Sequence, residues 1–296
     1  MTRALIIGDL AVDISAHTSD RIVAGRNILI ENPKMIAAGV AGNMAWYLRQ
    51  LGVKPHVAAT VGVDSWGTLL KQQLKKAKVR MELVRTSSKK PTAFFVVLVD
   101  SRGERTMIGS RSANTEFKIT SEEIVDISPQ WIHISGYSLL NRNYAELMKA
   151  VRHASEELAV PLSTDLEGIS AEGRHVNLEG ATVFCNEEEF RDYFGVSYRK
   201  MTGKMRQSIV VKAGPDGCYL MTESRLIHFP SVAKTVVDTT AAGDAFNAGF
   251  IASALNGNGE TVACRFGNVV AALKITKMGA KVMLPPEELT TFRAGL

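Results

Sequence analysis

The sequence predicts an α/β fold: a mostly parallel sheet with helices on both faces, carrying a small second β-sheet. Three observations predict it. Short apolar runs that end in glycine or a polar residue alternate with helical stretches along most of the 296 residues. The apolar runs are continuous rather than alternating, as strands buried on both faces are. Two stretches break the alternation and have the pattern of β-hairpins.

In chain order, "ALIIG" (Ala4–Gly8) is a buried strand, and "MAWYLRQLG" (Met44–Gly52) is a helix with a glycine stop. "KPHVAATVG" is a strand followed by the helix "SWGTLLKQQLKKAK". "QWIHISG" leads into the helix "NRNYAELMKAVRHASEEL", and "AVPLSTD", "ATVFCN" and "QSIVVKAG" are further strands. Gly243–Leu255 and Glu260–Thr276 are closing helices. "RIVAGRNILIENPKMIAAG" and "PTAFFVVLVDSRGERTMIGSR", the latter with "DSRGE" as its turn, are the hairpin stretches. They are expected to form one small sheet inserted at about 15–37 and 91–111 of a single domain spanning 1–296, as a flap over a site, a dimer surface, or two static edge hairpins.

Composition narrows the function. Hydrophobic residues make up 46% and charged residues 22%, an ordinary globular balance. The formal net charge of +5 suits a polyanionic ligand without requiring one. The basic runs Lys71–Arg80 and Tyr198–Arg206 read as solvated helix faces rather than a nucleic-acid surface; the first has no interleaved aromatic residues. Cys185, Cys218 and Cys264 lie far apart without metal-ligand spacing, which predicts reduced, buried thiols in a cytoplasmic protein. No apolar stretch has the length of a membrane span, so no membrane partner is expected.

Ligands of open α/β sheets sit beyond the carboxyl ends of the strands. The polar residues expected there are Asp9, Asp13, Asp165, Asn186 and Glu189, with Gly214 and Gly217. This oxygen-rich set suits a hydroxylated substrate, a hydrated divalent cation and a phosphate better than zinc. The stretch "DTTAAGDAFNAGF" (Asp238–Phe250) places three small residues and a carboxylate at a helix start. Bare amides there, strengthened by the helix dipole, form an anion pocket. Asp244 at its rim is positioned to take a proton from an attacking hydroxyl, or else caps its own helix.

This stretch resembles the second signature, D-T-x-[GA]-A-G-D, of the ribokinase-like carbohydrate kinases, the PfkB family. "AGVAGNMA" (Ala38–Ala45) is similar to the first signature, and "VGVDSWGTLLKQQL" to the G-x-D-x-x-G segment before a helix. "NEEEF" (Asn186–Phe190) matches N-x-x-E, "VVKAGPDGCYL" the strand–turn–strand beside the nucleotide, and "RFGNVVAALKITKMGA" the adenine-side helix. The motifs occur in family order over nearly the whole chain. The resemblance implies a three-layer α/β/α fold with a β-sheet lid and an ATP-dependent kinase for a hydroxymethyl group of a sugar or nucleoside. Asp244 is then the general base, and Ala241, Ala242 and Gly243 are the anion hole. Asp13, Gly39 and Asn43 hold substrate hydroxyls. Asn186 and Glu189 organise Mg²⁺, Glu189 through water. Lys212, Gly214 and Gly217 border the ATP phosphates and ribose, and Asn268 the adenine. Asp238 and Thr240 match part of the monovalent-cation (K⁺) site that the family often has. A homodimer through the lid is expected. A catalytically inactive sugar or nucleotide sensor on the same fold is the alternative, and "NEEEF" and "GPDG" read by themselves as a helix start and a turn.

Two departures bear on the acceptor. Val40 stands where ribokinases have a lysine, and Gly136 and Tyr137 where they tend to place a carboxylate. Both remove polar contacts and count against ribose. A nucleoside would want an apolar wall, for which Met44, Phe94, Phe95 and Met107 are candidates. A sugar acid would want a cation, for which Arg102, Arg105 and Arg111 are candidates.

Overall fold

The computed structural model describes residues 1–294 except 20–22, 24, 26, 101–104, 170–175, 202–205 and 224. Its strands, in chain order, are β1 (Arg3–Ile7), β2 (Ala11–His17), β3 (Glu31–Ala38), β4 (Lys54–Gly62), β5 (Arg80–Ser87), β6 (Ala93–Val99), β7 (Arg105–Ser110), β8 (Trp131–Ile134), β9 (Leu162–Asp165), β10 (Thr182–Asn186), β11 (Ser208–Lys212), β12 (Cys218–Met221) and β13 (Leu226–Phe229). The helices are α1 (Val40–Gln50), α2 (Ser65–Lys76), α3 (Ser121–Ile127), α4 (Gly136–Leu139), α5 (Tyr144–Glu157), α6 (Glu187–Phe194), α7 (Ala242–Leu255), α8 (Glu260–Ile275) and α9 (Pro286–Ala294).

Among the described residues the strands form two sheets. The larger has the order β13-β12-β11-β10-β9-β8-β1-β4-β5 and is parallel from β11 to β5, with β12 and β13 antiparallel at one edge. Side-chain alternation divides its core between two faces. Ala4 and Ile6 pack with α1, α7 and α8, while Leu5 and Ile7 pack with α3 and α5 on the other face. From β1 the chain winds outward to β4 and β5, then returns to β8 and proceeds the other way. The switch point therefore lies between β1 and β8, the place where open α/β sheets bind ligands beyond the carboxyl ends of their strands.

The smaller sheet has the order β3-β2-β6-β7. It is the expected lid, with one difference. Its first strand begins at Ala11 rather than near 15, so Asp13 lies within the lid and not beyond the end of β1. The residue at the end of β1 is Asp9. The β6–β7 turn residues 101–104, Arg102 among them, and residues 20–22, 24 and 26 of the first lid stretch lie outside the described residues. Asp64 ties the lid to the main sheet. Its carboxylate caps α2 at the Gly67 amide (2.7 Å) and accepts from the Thr92 amide (2.7 Å) and hydroxyl (2.7 Å) just before β6.

Helix α1 starts at Val40, four residues before its apolar pattern, because Gly39 turns the chain at φ +89°. A Cβ on Gly39 would lie 2.4 Å from the Asp9 carbonyl oxygen. Glycine is required here both for the left-handed backbone and for the close approach of the lid's end to β1. The three cysteines are buried and unpaired, as expected. No helix among the described residues is long and apolar enough to cross a membrane.

Gly39→Ala meets both penalties. It should destabilise the protein by about 2 kcal/mol or more, seen as a fall in Tm of roughly 4 °C or more by scanning calorimetry. An unchanged Tm would contradict the assignment.

Candidate active site

The crevice at the switch point is built by two helix starts, three strand ends and one lid strand. Helix α1 brings Asn43, which is buried with its Nδ2 donating to Asp244 Oδ2 at 2.9 Å. Helix α7 brings Asp244 itself, only 9% exposed. Ala241 precedes it at φ 60°, ψ 20°, and no side chain caps the helix. The Ala242 amide is engaged, donating to Thr239 O at 3.0 Å. Among the described residues no acceptor meets the amides of Ala241, Gly243 or Asp244. The open amides are thus these three, with Asp244 in place of Ala242 from the expected set. Asp244 does not cap α7; its carboxylate is met by the neighbouring helix instead.

Lys212, at the end of β11, faces this turn. A Cβ on Gly243 would lie 3.2 Å from its Nζ, so the ammonium stands directly against the bare backbone of this turn. Its Nζ also donates to Asn247 Oδ1 at 3.5 Å. Lys212 is surrounded by carboxylates. Asp165, at the end of β9, accepts from the Gly136 amide (2.9 Å) and the Glu167 amide (3.2 Å). Burial opposes the Asp165 charge, but His133, Lys212 and the Gly136 amide outweigh it and hold its pKa below the ordinary value. Burial pushes Glu167 well up, with Asp165 and Asp244 adding to the effect. Burial raises Asp244 to about 7, against the hydrogen bond from Asn43 and the charge of Lys212.

Asp13 enters from the lid. The register of β2 with β6 and of β6 with β7 puts Phe95 beside Asp13 and Met107 on the same face, with Gly109 leaving space for the Phe95 ring. Phe94 lies on the opposite face against Trp66 (5.5 Å between ring centroids), and Met44 is fully buried in the core. Two of the four candidate wall residues therefore line Asp13's side. Burial raises Asp13 to about 6, partly offset by Lys281.

Lys281 is the main residue that sequence reasoning missed. It lies on the strap after α8, which is laced to α1 by Tyr47 Oη to Ala280 O (2.7 Å), Trp46 Nε1 to Val282 O (2.9 Å) and Leu284 N to Gln50 Oε1 (2.8 Å). Its Nζ donates to Ala37 O at 2.8 Å and stands beside Gly42. Burial lowers its pKa to about 8, while Asp13 and Asp244 act to raise it. The site thus has an ammonium near α1 even though Val40 is buried and apolar. A lone lysine in "GAKVML" carries no motif that could have marked it. Arg111 is committed elsewhere. Its Nε and Nη2 bind the Asp9 carboxylate at 2.6 and 2.8 Å, and its guanidinium sits 5.7 Å from the Tyr137 ring centroid.

The remaining expected residues line the β10–β13 edge. Asn186 and Glu189 form a reciprocal capping box at the start of α6, with both contacts at 2.8 Å. Burial raises Glu189, and Lys212 opposes this. Gly214 and Gly217 sit in the turn before β12, and Gly217 (φ +92°) has no room for a Cβ against Phe229 O (2.2 Å). Asn268 Nδ2 donates to Phe229 O (3.0 Å) and Pro230 O (3.3 Å), anchoring the chain after β13. Asp238 Oδ1 accepts from the Thr240 amide (2.8 Å), and Lys274 Nζ donates to Asp238 O (2.5 Å). Among the described residues no three His, Cys, Asp or Glu side chains converge on a common metal position. The excess of carboxylates over Lys212 does fit a hydrated cation delivered with an anionic ligand.

The chain matches the profile of pfkB family carbohydrate kinases over residues 1–287. It is 28% identical over 290 residues to an ATP-dependent ribose-1-phosphate kinase of Halopiger xanaduensis, covering 95% of this chain and 94% of that one. It is 29% identical over 256 residues to an uncharacterized sugar kinase of Archaeoglobus fulgidus, covering 80% and 98%. Among solved structures it resembles Arabidopsis thaliana ribokinase complexed with ribose and ATP (TM-score 0.83, 20% identity, 99% of both chains). It also resembles Burkholderia thailandensis nucleoside kinase in complex with inosine (TM-score 0.77, 20% identity, 98% and 97%).

Replacing Lys281 with Met removes a positive charge that favours ionised Asp13. The Asp13 pKa should then rise above about 6, as followed by carboxyl-carbon NMR titration. A fall, or no change, would show that the two groups do not share the pocket.

Proposed function

The chain belongs to the pfkB family of carbohydrate kinases, and from that premise we propose that it transfers the γ-phosphoryl group of ATP to a hydroxymethyl group of a sugar or nucleoside. The observation that carries this reading is Asp244, a buried carboxylate beside unbonded helix-start amides, with its pKa raised to about 7. A base poised near neutral pH is present in its ionised form and still takes up a proton readily.

Asp244 accepts the proton of the acceptor hydroxyl as that oxygen bonds to the γ-phosphorus. The bond from phosphorus to the bridging oxygen breaks, and its electron pair leaves with ADP. Asn43 Nδ2 holds the Asp244 carboxylate in place through this step. The Gly243 and Asp244 amides and Lys212 meet charge that spreads onto the equatorial oxygens; such fixed donors contribute most where water is excluded. Mg²⁺ arriving with ATP would neutralise phosphate charge, and Glu189 and Asn186 would orient its water shell. Gly214 and Gly217 shape the turn beside the nucleotide, and Asn268 braces the adenine side.

On the acceptor side, Asp13, Gly39 and Asn43 would hold hydroxyl groups. Phe95 and Met107 offer apolar contact, and Lys281 supplies an ammonium despite the valine at position 40. Relatives and neighbours are named mostly for ribose, ribose-1-phosphate and nucleosides, all built on ribose, and one relative is a 2-dehydro-3-deoxygluconokinase. A furanose-bearing acceptor, free or as a nucleoside, is the reading these contacts support. The exposed Met35 and Ile108, on the lid face opposite Asp13, support pairing of two copies through the lids.

Asp244→Asn should lower kcat by about a hundredfold or more while leaving ATP affinity within about twofold. A coupled assay over a panel of pentoses and nucleosides, with calorimetry for ATP, reads both. Near-normal turnover would remove Asp244 as the base. Binding without turnover in the unmodified protein would favour a sensor.

A further inference from the structure

Lys274 is fully buried on α8, in a stretch otherwise made mainly of alanine, valine and leucine. A buried ammonium is tolerated only where protein acceptors replace its water. Here its Nζ donates to Asp238 O at 2.5 Å and stands 3.9 Å from Asp238 Oδ2. The carboxylate of Asp238 is itself taken up by amides, Oδ1 by Thr240 (2.8 Å) and Oδ2 by Gly279 (2.7 Å). The amides of Val237 and Asp238 both donate to Ile275 O, at 2.8 and 3.2 Å. The segment leading into the Ala241 turn is thereby stitched to the end of α8. Burial opposes the Asp238 charge, but the Thr240 and Gly279 amides and Lys274 hold its pKa below the ordinary value.

The sequence led to an expectation of a monovalent cation at Asp238 and Thr240. Such an ion would need the oxygens of Asp238 that two amides and an ammonium already hold. The residues present do not fit it.

We propose that Lys274 is a tethered replacement for that ion. Its ammonium is carried on α8 and places a positive charge behind the 238–241 turn. That charge fixes the turn so that the Gly243 and Asp244 amides face the crevice. Lys274 is a positioning residue, acting through Asp238 and touching neither substrate. Its effect on turnover rests on the kinase reading; its occupation of the cation position does not.

The test compares KCl with tetramethylammonium chloride at matched ionic strength, reading both turnover and Tm, for the unmodified protein and for Lys274→Ala. The unmodified protein should turn over within about twofold in the two salts and show no K⁺-specific rise in Tm, because no site is open for the ion. Lys274→Ala should lose about tenfold or more in tetramethylammonium and regain much of it in K⁺ or NH₄⁺. The same ions should raise its Tm. Activation of the unmodified protein by K⁺ of about tenfold, or a K⁺-specific rise in its Tm, would overturn the proposal. So would a loss in Lys274→Ala that no cation restores, since Lys274 would then be only a structural residue. If Lys274→Ala fails to fold, the salt comparison on the unmodified protein decides alone. If no acceptor is phosphorylated in either salt, the kinase reading fails, and the Tm comparison still tests the cation position.

Discussion

The hydrogen bond from Asn43 Nδ2 to Asp244 Oδ2 joins residues 201 positions apart and fixes the relation of two helix starts. One belongs to α1, reached through the glycine that lets the lid meet β1. The other belongs to α7, whose first turn carries only small residues besides Asp244. Neither helix start forms a site alone. Brought together over the β1–β8 switch point, they place a carboxylate next to open amides, with the lid strand carrying Asp13 close by. The rest of the architecture keeps these two ends in register. Phe246 and Phe250 of α7 pack on Phe184 of β10, with ring centroids 6.4 and 5.1 Å apart. Gly249 and Gly267 let α7 and α8 approach closely.

Charge decides the chemistry of that arrangement. Asp165, Glu167, Glu189 and Asp244 gather near Lys212, and each feels its charge. Asp165 stays ionised through its hydrogen bonds, while burial pushes the others toward their neutral forms. Environments that drive neighbouring carboxyls apart in this way assign roles, because one group stays a fixed charge and another becomes able to exchange a proton. Asp13 and Lys281 repeat the pattern on the acceptor side, with the acid shifted up and the base shifted down by burial.

Much of this was legible in the sequence where chemistry and local structure share one motif. The stretch around Asp244 announced a helix start with small residues, and "NEEEF" announced a helix start that the structure realises as a capping box. The strand ends at Asp165 and Asn186 followed from apolar runs closed by polar residues, while Lys212 was marked only by the family resemblance. What escaped depends on chain crossings that no local pattern encodes. Lys281 reaches the pocket because a strap is laced to α1 across more than two hundred residues. Arg111 is 102 residues from the Asp9 it binds, and its place near the lid suggested a free cation that the structure does not provide. Lys274 sits in an apolar helix where its charge looks incidental until Asp238 is brought alongside. Asp13 shifted from a strand end to a lid strand because strand β2 begins earlier than its apolar pattern indicates.

Phosphoryl transfer here turns on Asp244 losing and taking a proton near neutrality, under the control of Asn43. The pH dependence of kcat/KM for the acceptor, at saturating ATP, tests this most directly. The unmodified protein should lose activity as pH falls through about 7, because protonated Asp244 cannot accept the hydroxyl proton. In Asn43→Ala the donor that favours the ionised carboxylate is gone. The midpoint of that limb should then move to higher pH by about half a unit or more, whatever the loss in absolute rate. A limb that stays in place or moves to lower pH would contradict the account.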